Sequence, residues 1–128
     1  MLLTTLVSTS AQVAQTSARS AKTRLLAECL QAIALDELEI AVLYLAGAIR
    51  QGRIGIGPSV LRACAQAPAP APTLSLSEVD GVFEELAAIS GSGSSAQRAT
   101  ALRNLFARAT QNEQEFLLRL LARYRAFF

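Results

Sequence analysis

Apolar residues recur at helical spacing along almost the whole chain, with Ala and Leu supplying strong helix propensity. The pattern predicts an opening helix over much of Leu2 to Ala14. A second starts at Ser20, where Leu25, Leu26, Cys29, Leu30 and Ile33 form one stripe and Lys22, Arg24 and Glu28 lie outside it. Asp36 followed by Glu39 has capping-box spacing and opens a helix through Ile49. Ile40, Val42, Leu43, Leu45, Ala46 and Ile49 surround that helix with apolar side chains. It reads as the central buried helix, with Gly47 letting a neighbour approach closely.

Glycine and proline punctuate the middle of the chain. RQGRIGIG, Arg50 to Gly57, breaks the helix, and Pro58 suits the first turn of a short helix to about Ala65. Pro68, Pro70 and Pro72 alternate with Ala in a stiff, extended connector. Ser77 with Asp80 caps a helix through about Ile89, and SGSGSS, Ser90 to Ser95, has the composition of a flexible linker. Ser95 starts a further helix. Thr110 with Glu113 opens the last, which carries Phe116, Leu117, Leu120, Leu121 and Tyr124, with Phe127 and Phe128 at the end. The halves echo each other at an offset of 75: Leu30 falls on Leu105, Ala34 on Ala109, Leu45 on Leu120 and Arg50 on Arg125. The expected fold is all-α, a single domain built as a helical bundle of two pseudo-repeated halves, 1–67 and 76–128, with a Pro/Ala-rich connector at 68–75.

Composition narrows the chemistry. The 128 residues contain no His, which removes the commonest general base and every Ser-His or Cys-His nucleophile pair. Cys29 and Cys64 lie far apart inside helical patterns, with no redox or zinc spacing, and point to a reducing compartment. No catalytic and no metal-binding residues are assigned. The first eighteen residues carry no charged side chain, so no Lys or Arg precedes the apolar run as in a secretory signal, and no stretch reaches the roughly 20 residues of a membrane span. A soluble chain without a membrane partner is expected.

The formal net charge of +2 is too small to name a partner, but the charges are segregated. Acids fall mainly at Asp36 to Glu39, Glu78 to Glu85 and Glu113 to Glu115. All-basic groups form at Arg19, Lys22 and Arg24, at Arg50 and Arg53, and at Arg119, Arg123 and Arg125. Three polar clusters could hold anions. TSARSAKTR, Thr16 to Arg24, enters a helix N-terminus, where hydroxyls, N–H groups, Arg19 and Lys22 suit a phosphate. RQGRIGIG presents basic side chains beside bare backbone. SGSGSSAQR sets a Gly-rich backbone before a helix start and Arg98, without the lysine and hydroxyl spacing of a P-loop. Taken singly, each also reads as an ordinary N-cap, a helix stop or a linker with solvated charges, Arg19 and Arg98 included.

In order and surroundings these clusters resemble the N-terminal DNA-binding domain of ATP-dependent DNA ligases, most closely the short actinobacterial type. That family opens the domain with a T-S-S-R-x-x-K-like segment, ends a buried helix in an R-x-G-x-x-x-G-x-G-like turn and follows the connector with a G-K-G-S-x-x-x-R-like loop. The corresponding stretches here are TSARSAK, LAGAIRQGRIGIG (Leu45 to Gly57) and SGSGSSAQR, and the tail NEQEFLLRLLARYR is similar to the helix before a second Arg-Gly turn. Ser92, Gly93 and Ser94 occupy the loop where many relatives place a Lys.

The resemblance implies sequence-independent binding of duplex DNA, nicked in the ligase reaction, through Thr16, Ser17, Arg19, Lys22, Arg50, Arg53, Gly91, Ser92, Gly93, Ser94, Ser95, Arg98, Arg123 and Arg125. It implies a role in nick sealing during repair, replication or recombination, in the bacterial cytoplasm at the nucleoid. The family's adenylation lysine lies in K-x-D-G, whereas the sole lysine, Lys22, lies in KTRL. No catalysis is therefore expected from this chain. ATP and Mg would belong to the family's catalytic domains, a further partner, and no cofactor to this one. The family continues with G-E-L-R-Q-G and further helices where this sequence reads ARYRAFF, which marks an incomplete domain with an apolar end prone to weak self-association. The rival reading is a small helical protein-interaction or scaffold domain with no DNA role.

Overall fold

A computed structural model of the chain describes residues 1–52 and 54–122. Among them are seven helices and no strand: α1 (Leu3–Gln15), α2 (Arg19–Gln31), α3 (Leu35–Leu45), α4 (Pro58–Ala63), α5 (Leu76–Ala88), α6 (Ser94–Ala107) and α7 (Gln111–Ala122). No helix among the described residues is long and apolar enough to cross a membrane. Cys29 and Cys64 are buried free thiols.

The helix boundaries correct several expectations. Ala34, not Asp36, is the N-cap of α3; Asp36 and Glu37 occupy its first turn, where carboxylates favour the helix dipole. The helix ends at Leu45, four residues before Ile49. Gly47 (φ 82) then closes a Schellman turn, with Gly47 N–H donating to the Tyr44 carbonyl and Ala48 N–H to that of Leu43. The glycine thus serves the left-handed turn. α3 is also not buried all round, since Val42 is 45% exposed while Ile40, Ala41 and Tyr44 face inward. The capping box of α5 is Ser75 with Glu78, two residues before the expected Ser77 and Asp80, whose polar groups are engaged elsewhere. The starts of α2 and α6 each fall one residue before the expected serine. The Thr110 and Glu113 box stands as read. Tyr124, Phe127 and Phe128 lie outside the described residues.

The duplication shows in burial. Leu3, Leu6 and Val7 of α1 match Leu76, Val79 and Asp80 of α5, an offset of 73. Glu37, Ile40, Ala41 and Tyr44 of α3 match Glu113, Phe116, Leu117 and Leu120 of α7, an offset of 76. By burial, the echo at 75 therefore becomes 73 between α1 and α5 and 76 between α3 and α7. The halves interlock, with α3 packing on α5 and α7 on α1, and a pseudo-twofold relates them where Leu2 and Ser75 form an isolated antiparallel bridge. Leu3 N–H donates to Leu74 and Leu76 N–H to Met1, so the first amides of α1 and α5 are satisfied reciprocally. The connector is not a bare spacer: Ala69 N–H donates to the Ala109 carbonyl and the Gln114 side-chain amide to that of Gln66. The shared core includes Phe83, Phe106, Leu86 and Leu117, where each large side chain contributes roughly 1.5–3 kcal/mol.

Candidate nucleic-acid interface

Helix direction decides where the polar clusters go. The amino group of Met1 meets Glu37, while Ser10 shares a groove with Tyr44, Leu45 and Gly47, so α1 and α3 run the same way. Ser77 meets Glu37 and Phe83 meets Tyr44 with ring centroids 6.1 Å apart, so α5 follows them. Phe116, Leu120 and Ala122 of α7 line the same groove as the end of α3. The C-terminal ends of four helices thus gather at one end of the bundle. Thr16 to Lys22, the turn that begins at Arg50, and Gly91 to Arg98 all leave from that end. Arg53, Arg123 and Arg125 themselves lie outside the described residues.

The N-termini of α2 and α6, related by the pseudo-twofold, open at this end, and neither has a side-chain cap. At the other end α5 and α7 each carry a complete capping box, while α1 and α3 likewise have no side-chain cap. Uncapped first-turn N–H groups suit an anion. Before α2, the Thr16 hydroxyl donates back to the Gln12 carbonyl of α1, while Ser17 and Arg19 are exposed and Lys22 is partly buried. Neither Arg19 nor Lys22 makes an ion pair among the described residues.

Before α6, the run that reads as a flexible linker is a tight turn. Gly91 (φ 85) and Gly93 (φ 78) are left-handed, and Ser94 N–H donates to the Gly91 carbonyl. Gly91, Ser92, Gly93 and Ser95 are exposed, Ser94 partly so. Arg98 is not a solvated side chain: its guanidinium donates to the carbonyls of Leu86 and Ile89, closing the C-terminal end of α5. The third cluster is tied down too. Arg50 Nε and Nη2 grip the Asp80 carboxylate, the latter at 2.9 Å, and Nη2 also reaches Glu84 at 2.7 Å. Hydrogen bonding to Asp80 holds the guanidinium further toward its charged form. Gln51 Nε2 donates to the same two acids. Arg50 remains 37% exposed at the side chain, so the ion pair does not hide it.

Arg119, in a basic group of the sequence but not among its assigned contacts, lines the grooves on both sides of α7 and stands 5.9 Å over the Phe116 ring. Its position three residues after a core aromatic on α7 was the available signal. The groove it shares with α3 has a volume of about 430 Å³ and is lined in part by Tyr44, whose hydroxyl is buried with no hydrogen-bond partner among the described residues and whose pKa is pushed up by that burial. Among the described residues no cluster of His, Cys, Asp or Glu can hold a metal.

Residues 63–125 match the family model described as DNA ligase N terminus. A probable DNA ligase of Anaeromyxobacter sp. (strain Fw109-5) is 46% identical over 94% of this chain and 24% of its own length. Those of Rhodococcus opacus (strain B4) and Streptomyces griseus subsp. griseus are 44% and 47% identical, with the same two coverages. The chain is similar to these probable DNA ligases over nearly its whole length. It spans about a quarter of the length of these relatives. No solved structure matches it. The polar runs Thr16 to Lys22 and Gly91 to Arg98 and the turn that begins at Arg50 emerge at one end of the bundle although they are far apart in the sequence.

Proposed function

We propose that this chain is the DNA-gripping domain of an ATP-dependent DNA ligase and holds nicked duplex DNA, without reading its sequence, while a nick is sealed in repair, replication or recombination. The observation that carries this reading is the convergence of the basic and glycine-rich runs on one end of the bundle, in a chain related to DNA ligases. Exposed Arg19, the uncapped starts of α2 and α6, the turn of Gly91 to Ser95 and the partly exposed Arg50 are all suited to phosphate oxygens. Phosphate contacts fix position and orientation and carry no base information. Lys22, Arg98 and Arg119 add positive charge at the same end. Thr16, Ser17, Arg53, Arg123 and Arg125 belong to the same proposed footprint.

In this reading ATP and Mg serve the catalytic domains and not this chain, and the place of action is the bacterial cytoplasm at the nucleoid. The test is a titration of the 128-residue chain with nicked and intact duplexes of unrelated sequence, repeated as salt is raised. Comparable binding to all sequences, falling steeply with salt, supports the proposal, because each neutralised phosphate releases counterions. Binding to none of them, or to one sequence alone, overturns it. A salt-insensitive partner would favour the protein-interaction reading, since an apolar interface is not screened.

A further inference from the structure

Arg50 and Gln51 hold two acids of unequal standing. The Asp80 carboxylate, 12% exposed at the side chain, accepts from Arg50 Nε and Nη2 and from Gln51 Nε2. Glu84 lies one turn later on α5 and is 53% exposed. It offers a single oxygen, Oε1, to Arg50 Nη2 at 2.7 Å and to Gln51 Nε2 at 2.8 Å. Asp80 is thus an inner anchor, whereas Glu84 reaches the same two donors from the solvent side on a longer stem. An ion pair so exposed adds little to stability and exchanges readily. Arg50 Nη1 makes no hydrogen bond among the described residues.

Two N–H donors that converge on one carboxylate oxygen form an oxyanion position, and a phosphodiester oxygen offers the same charge and acceptor geometry. We propose, on the reading of this end of the bundle as a grip on duplex DNA, that Glu84 Oε1 occupies the place of a DNA phosphate oxygen. When duplex binds, Glu84 swings out, and the phosphate takes over Arg50 Nη2 and Gln51 Nε2 while Nη1 adds a second contact from the same guanidinium. Asp80 keeps hold of Arg50 Nε and of Gln51, so the donors stay aimed while their outer partner changes. Gln51, which the sequence did not single out, becomes a phosphate ligand. Glu84 is a competitor built into the site: every phosphate must displace its charge, which sets the grip below what the donors alone would give and keeps it reversible.

The experiment titrates a nicked duplex into the 128-residue chain and its variants at one fixed, moderate salt concentration. Glu84→Gln removes the competing charge from an exposed side chain and is expected to tighten binding about threefold or more. Glu85→Gln removes the same charge from the next residue, which is exposed and makes no ion pair among the described residues. It is expected to gain less than about twofold, the share due to general repulsion. Gln51→Leu should weaken binding several-fold. In an Arg50→Ala background the gain from Glu84→Gln should shrink to that from Glu85→Gln, since the coupling runs through Arg50. In nitrogen-edited spectra the Arg50 Nε–H signal should keep its position in the complex, because Asp80 still holds it. Equal gains from the two glutamate variants, or a Glu84→Gln gain that survives in Arg50→Ala, overturn the proposal and leave the DNA reading standing. If neither the parent chain nor any variant binds duplex, both fall.

Discussion

Arg50 and Asp80 join the two halves of the bundle through a forked ion pair, in which a side chain from the turn after α3 grips a carboxylate in the second turn of α5 that is 12% exposed. Gln51 binds the same carboxylate. A residue suited to DNA therefore also holds the fold, and the two roles separate experimentally. Asp80→Ala removes the acceptor for both side chains and is expected to destabilise the chain by about 1–3 kcal/mol. The denaturant midpoint should fall at constant slope. An unchanged midpoint would mean that the pair adds nothing to stability.

Arg19→Ala and Arg98→Ala are expected to behave differently. Arg19 is exposed and makes no ion pair among the described residues, so its loss should weaken duplex binding several-fold while the thermal midpoint stays within experimental scatter. Arg98 closes the end of α5, and its removal should cost about 1–2 kcal/mol of stability as well. Calorimetry and DNA titration on the same preparations check both. Equal stability of the two variants would contradict the assignment of Arg98.

Gly93→Ala places a Cβ in open space but at φ 78, which L side chains adopt at a cost. A loss of roughly 1–2 kcal/mol is expected from strain alone. Gly81→Ala, inside α5 with no positive φ and equally open surroundings, is the control and should not destabilise, a helix-interior Gly costing roughly 0.5–1 kcal/mol relative to Ala. Comparison of their urea midpoints decides.

Glu37 contributes to the acid limit of stability. Its carboxylate accepts from the Met1 ammonium, which lowers its pKa most; burial opposes, and the Ser77 hydroxyl and N–H lower it further. Because the folded pKa lies below the unfolded one, near 4.3 for Glu, the unfolded chain binds more protons between the two. The stabilisation is present above the unfolded value and is lost as pH falls through the folded one. Thermal midpoints should therefore drop on acidification below the ordinary Glu range. Glu37→Gln should be less stable at neutral pH, with a shallower acid limb. An identical acid limb in the variant would assign the titration to another carboxylate.

Incubation of the chain with labelled ATP and Mg is expected to leave no covalent label after denaturing separation, since Lys22 lies in KTRL and not in K-x-D-G. Label that survives denaturation would identify a nucleophile outside the family pattern.

The helical class, the number and order of the helices, the Thr110 and Glu113 cap and the existence of a duplication were all legible in the amino-acid sequence. All but the duplication follow from local propensity and periodicity, which act between residues three or four positions apart; the duplication shows as residue matches 75 positions apart. The basic and glycine-rich runs were visible there too, but not what they touch. Tertiary packing alone settled that Ser77 serves Glu37 and leaves the cap of α5 to Ser75, that Arg98 closes α5 and that Arg50 holds Asp80. These partners stand 40, 9 and 30 positions apart, and composition cannot rank a buried carboxylate above solvent as a partner for Arg. The glycine run Gly91 to Gly93 looked flexible because backbone freedom is legible in a sequence, whereas the turn that uses it requires α5 and α6 to be in place. The burial of α3 was overestimated for a related reason. Hydrophobicity marks a face as able to be covered, and the packing of neighbouring helices decides whether it is, as it is on α7 and is not at Leu35 and Val42 of α3.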